Sequence, residues 1–324
     1  MSVKIERLSE ERVRNMIEDD DTVFLRTTGQ TSNITFTEKL NTECHVKRLP
    51  NNQYQILRTG EIKDCKPQIE DRSGNIKSLK RTFKTIRDTI NTNCTDVEKC
   101  RMITLTYEEN MTNTKQFDKD INLFVKNFNY NYGKSENIKI CEPQGRGALH
   151  AHIIFIWDKK APYIPIEEIN KMWGHGYTYI QSLYGNVDNL GVYFTAILSD
   201  LPIEDAKSIN IDYEDKDIKE IWYDVKAGKR LKSPKCYVKG ARLHLYPPKF
   251  RIYRGSRGLK KPAEEKTTYS KAKEKVGSAI PTYVSAFRIT DKDKKWSNLI
   301  IKEYYNSKRF PEVNENEPQT FDFD

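Results

Sequence analysis

Glu142-Pro143-Gln144-Gly145-Arg146-Gly147-Ala148-Leu149-His150-Ala151-His152-Ile153-Ile154-Phe155-Ile156-Trp157 reads as a glycine-containing turn that feeds a strand. After the turn the run is apolar except for two histidines two residues apart. Side chains alternate between the faces of a strand, so His150 and His152 share a face with Ile154 and Ile156. Leu149, Ala151, Ile153, Phe155 and Trp157 make up the other, wholly apolar face. Glu142 ends a second apolar run, residues 138–141, and a hairpin would bring its carboxylate beside the imidazoles. Two neutral imidazoles and a carboxylate are a donor set for a divalent metal. A purely structural histidine pair is the alternative.

Outward from this stretch the hydrophobic period alternates between strand and helix. Residues 101–107 are apolar and β-branched, which predicts a strand with Ile103, Leu105 and Tyr107 on one face and Thr104 and Thr106 on the other. Leu79, Phe83, Ile86 and Ile90, and then Phe117, Ile121, Phe124 and Phe128, fall at helical spacing. A short helix is expected over 166–173, a strand over 177–183 and a helix over 187–201. From residue 101 the order is β, α, β, β, α, β, α, which implies an α+β fold: a central antiparallel sheet flanked by helices. Upstream, residues 22–25 and 53–57 read as short strands, with a hairpin turn at 49–52. The chain divides into a small N-terminal β-rich module over 1–75, a catalytic domain over 76–202 and a basic C-terminal accessory region over 203–324.

Composition narrows the function. The 324 residues carry a net charge of +9, and residues 226–275 hold 17 Lys/Arg against 3 Asp/Glu. Tyr237, His244, Tyr246, Phe250, Tyr253 and Tyr269 are interleaved with these cations. Aromatics among cations suit unpaired bases and phosphates, which favours a nucleic-acid partner over a merely solvated charged face. Six cysteines without CxxC pairing fit free thiols in a reducing compartment. No apolar run is long enough to span a bilayer and no signal-peptide pattern opens the chain, so a cytoplasmic protein without a membrane partner is expected. Gly133-Lys134-Ser135 resembles the end of a phosphate-binding loop. Phe128 stands where that loop needs its first glycine, which argues against a nucleotide-driven motor.

The helix expected over 187–201 places Val187, Leu190, Phe194, Ile197, Leu198 and Leu201 in one stripe, with Tyr193 on its rim. Ile103-Thr104-Leu105-Thr106-Tyr107, Gly147-Ala148-Leu149-His150-Ala151-His152 and Val192-Tyr193-Phe194-Thr195-Ala196-Ile197-Leu198 together resemble the three ordered motifs of HUH endonucleases. The similarity is greatest to rolling-circle replication initiators of bacterial plasmids and phages. It covers about 100 residues, and its middle motif is the most specific. The segment Lys239-Gly240-Ala241-Arg242-Leu243-His244-Leu245-Tyr246-Pro247-Pro248 also resembles such initiators, without an assigned role.

The resemblance implies that His150, His152 and Glu142 bind Mg²⁺ or Mn²⁺ and that Tyr193 is the nucleophile. It implies cleavage of single-stranded or melted origin DNA, with the 5′ phosphate retained on the tyrosine and a 3′-hydroxyl freed. Host helicase and DNA polymerase would be partners, and the cell bacterial. Ala196 stands where many members carry a lysine, and Ile197 where two-tyrosine members carry the second, so this resembles a single-tyrosine enzyme. Asp200 is one candidate for the base that removes the tyrosine proton. An HUH transposase and a conjugative relaxase are alternatives within the family. A non-enzymatic DNA-binding repressor explains the charge but not the tyrosine or the ligand set. A non-haem iron oxygenase explains the ligand set but not the basic segment.

Overall fold

The computed structural model describes residues 3–40, 44–65, 76–183, 191, 195, 198–224, 229–291 and 296–307. It combines helices with antiparallel sheets and divides into two compact units, Met1–Asn41 with Pro262–Asp324, and Thr42–Lys261.

In the first unit six strands pair antiparallel in the order Val3–Leu8, Pro281–Asp291, Ser297–Asn306, Thr31–Thr37, Thr22–Thr28, Ala263–Thr268. Alternation builds its core: Val23 faces Phe36 and Leu25 faces Ile34 across one strand pair, and all four are buried. Burying a side chain of this kind contributes roughly 1.5–3 kcal/mol. The strand expected at 22–25 therefore exists and runs on to Thr28. The division drawn from composition follows chain order, whereas the sheet joins the first strands to the last. Pairing across so long a separation leaves no local mark in the sequence.

The second unit is centred on a five-stranded antiparallel sheet ordered Thr178–Ser182, Cys100–Thr106, Leu149–Ile156, Glu136–Pro143, Tyr253–Gly255. Helix Thr114–Tyr132 covers one face, where the Phe128 ring lies 3.9 Å from that of Phe155. Asn113 caps this helix by accepting from Lys115 N and Gln116 N, and Gly133 ends it, so the Gly133-Lys134-Ser135 resemblance marks a helix terminus. Helix Ile76–Asn93 covers the other face: Tyr253, paired opposite Ile140, donates its hydroxyl to Thr89 at 3.4 Å. Ile166–Trp173 is helical over the bounds read from the sequence. Two three-stranded sheets complete this unit, one of them Val46–Leu49, Gln53–Ile56 and Ile62–Asp64. Asn51 and Asn52 make its first turn, both with positive φ, as expected for a two-residue hairpin loop. Of the helix expected over 187–201, only residues 191, 195 and 198–201 lie among those described; Gly191 and Thr195 are helical.

Part of the basic segment is core. Tyr246 and Phe250 are buried, and Phe250 packs on Phe117. Arg242 is 7% exposed, and Arg254 pairs with Asp118 at 2.5 Å. These residues, read from the sequence as a nucleic-acid surface, are fixed inside the fold because alternate positions of 239–252 turn inward. No helix among the described residues is long and apolar enough to cross a membrane.

Candidate metal centre

The turn after Pro143 closes a hairpin in which Gln144 N donates to Ala148 O and Gly147 N to Gln144 O. Gly147 has φ +86°, a conformation that side-chain-bearing residues rarely adopt. The register this turn sets puts Glu142 opposite His150 and Ile140 opposite His152. On the other side of the histidine strand, Thr106 faces His150 and Thr104 faces His152. A one-residue slip would send both imidazoles to the opposite face.

The three side chains converge. Glu142 Oε1 lies 3.2 Å from His150 Nε2 and 3.5 Å from His152 Nε2, and the two Nε2 atoms are 3.1 Å apart. Thr104 Oγ1 is 2.9 Å from His152 Nδ1. A proton on Nδ1 donated to that hydroxyl leaves the Nε2 lone pair directed at the centre, the arrangement that orients metal-binding histidines. The first motif thus enters the site through Thr104.

Electrostatics keeps the donors in ligand form. Burial pushes the Glu142 carboxyl up, but hydrogen bonds from His150 and His152 and the Arg242 guanidinium outweigh it and hold the group well below the usual carboxylate range. Burial pulls the His150 imidazole down against the opposing influence of Glu142. The result is a charged carboxylate beside a neutral imidazole, the states in which both bind metal. Glu142 Oε2 and His150 Nδ1 are buried with no hydrogen-bond partner among the described residues. Three converging donors and an orphaned carboxylate oxygen fit a divalent cation, whose positive charge would offset the crowding of acceptors.

Arg242 is the residue that sequence reasoning missed. It donates from Nη1 to Pro143 O at 2.7 Å and from Nε to Asp200 O at 3.0 Å, and its backbone N donates to Ser199 O. Nearby, Tyr246 donates its hydroxyl to Leu198 O. The segment that resembled initiators without a role therefore ties residues 198–200 to the metal strand. Its signal was a lone cation alternating with Ala241, Leu243 and Leu245. Asp200 is buried and accepts from Gly240 N and Ser199 Oγ, so its carboxylate has a structural task.

Tyr193 lies outside the described residues. Of its neighbours, Gly191 N donates to Asn91 at 2.8 Å, and a Cβ on Gly191 would collide with Arg87 O, so only glycine permits this approach to helix Ile76–Asn93. Thr195 Oγ1 donates to Gly191 O. All six cysteines are free thiols.

No curated protein and no solved structure matches the chain. Residues 100–200, from the threonine strand through the histidine hairpin to Asp200, match the family described as replication-associated protein ORF2, which supports a replication-initiator type of protein.

Proposed function

We propose that this chain is a rolling-circle replication initiator of the HUH endonuclease type, which nicks and rejoins single-stranded origin DNA. The convergence of Glu142, His150 and His152 supports this reading most strongly, and the likeness to replication-associated proteins gives the site its substrate class. Mg²⁺ or Mn²⁺ bound by these three residues would withdraw charge from a non-bridging oxygen of the scissile phosphodiester. Tyr193 is the nucleophile: its phenolic oxygen bonds to phosphorus as the bond from phosphorus to the 3′ oxygen breaks. The tyrosine proton is transferred, overall, to the departing 3′-hydroxyl. The 5′ phosphate stays on the enzyme, and attack by a 3′-hydroxyl reverses the step and rejoins the strand. Thr104 holds His152 in its ligand tautomer, and Arg242 holds Glu142. Host helicase and DNA polymerase act on the nicked product, in a bacterial cytoplasm.

The test is cleavage of a pool of single-stranded DNA in Mn²⁺ or in chelator, by wild type, His150→Ala and His152→Ala. Wild type should cut only with metal, and both variants should bind DNA without cutting. Cleavage by both variants at the wild-type rate would overturn the assignment.

A further inference from the structure

The metal face of the sheet does not stop at the histidines. Thr106 N donates to Tyr177 O, and Tyr179 is paired directly opposite Thr104. Residues paired across antiparallel strands project to the same face. Two rows therefore cross the sheet: Tyr177, Thr106, His150, Glu142 and, beside it, Tyr179, Thr104, His152, Ile140. The metal ligands occupy the middle of these rows, and two tyrosines their outer end, two strand spacings or about 10 Å away.

Those tyrosines are not core. Tyr177 is 73% exposed and Tyr179 55% exposed, on the strand Thr178–Ser182 at the edge of the sheet. Thr178, the residue between them, turns to the other face, where its hydroxyl bonds Asn170. The backbone before Tyr177 is fixed by Glu108 N donating to His175 O. Arg146 of the histidine hairpin is exposed and donates to Glu108 O at 2.9 Å, so a guanidinium stands between the hairpin and the tyrosine segment. A single exposed tyrosine on a surface calls for no explanation. Two at alternate positions, aligned with a metal donor set and next to a cation, form a surface suited to π-stacking of flat bases flanked by phosphate.

We infer that Tyr177 and Tyr179 form a stacking platform for the unpaired bases next to the phosphate held at the Glu142, His150, His152 centre. This rests on the proposed reading of that centre. The platform binds bases by their faces, so it takes single-stranded DNA and not duplex, and it positions the strand without entering the chemistry.

Fluorescence anisotropy of a labelled oligo(dT) with the full chain separates the two claims, because affinity reports on the platform and nicking in Mn²⁺ reports on the reading. Tyr177→Ala/Tyr179→Ala should weaken oligo(dT) binding about tenfold or more, as expected when base stacking is removed, with duplex affinity and Mn²⁺ binding unchanged. Tyr177→Phe/Tyr179→Phe keeps the rings and should stay within about twofold of wild type. Equal affinity of the alanine variant and wild type would overturn the platform, as would a phenylalanine variant as weak as the alanine one. Absence of nicking by wild type, with the affinity pattern intact, would overturn the endonuclease reading and leave the platform standing.

Discussion

Arg242 and Glu142 form a buried ion pair, Nη1 to Oε1 at 3.5 Å, that joins the segment before Tyr246 to the strand bearing the metal donors. The same guanidinium satisfies the carbonyls of Pro143 and Asp200. Removing one partner of a buried pair leaves the other charged and uncompensated, which costs about 3–5 kcal/mol. Arg242→Ala should lower stability by that order in urea unfolding, and an unchanged midpoint would remove Arg242 from the scaffold of the site.

Thr104→Val keeps the shape of the side chain and deletes the partner of His152 Nδ1. Loss of such an orienting interaction typically weakens metal binding by about 10–100-fold. Calorimetric titration with Mn²⁺ should show that drop with the fold retained. A wild-type Kd would mean that the hydroxyl does not orient the ring.

How much of this was legible in the sequence depends on how local the information is. Ile166–Trp173 and the hairpin carrying Glu142, His150 and His152 were readable because period and turn spacing act over a few residues. Pairing of Val3–Leu8 with Pro281–Asp291 was not, because nothing near either strand names its partner. Tyr246, Phe250 and Arg242 resembled a nucleic-acid surface because cations and aromatics alternate there. Which of them turn inward is decided by contacts with Leu198, Phe117 and Glu142, far away in the chain.

Tyr107 donates its hydroxyl to Asp120 at 2.9 Å in the core. Burial first, then the hydrogen bond and charge of Asp120, raise the phenol's pKa above its ordinary value of about 10. A raised folded-state pKa contributes stability that is complete below the unfolded value and is lost as pH climbs above it. Tyr107→Phe should therefore cost about 1 kcal/mol near neutral pH, and the gap from wild type should narrow at about pH 10.5. Urea unfolding at both pH values checks this; a gap that widens with pH contradicts it.

Lys249, Arg251, Arg257 and Lys260 remain exposed in the basic segment after the buried arginines are set aside. Changing all four to glutamine should reduce the slope of log affinity against log salt for single-stranded DNA by about 0.7 for each phosphate no longer neutralised. An unchanged slope would make this face a solvated one.

The most direct test of the central claim is covalent capture on Tyr193. Wild type incubated with a single-stranded DNA pool in Mn²⁺ should form an adduct that survives denaturing electrophoresis and maps by mass spectrometry to the peptide containing Tyr193. Tyr193→Phe should bind the same DNA and Mn²⁺ yet form no adduct. An adduct on Tyr177, Tyr179 or another tyrosine, or none in the wild type with either Mg²⁺ or Mn²⁺, would contradict the account.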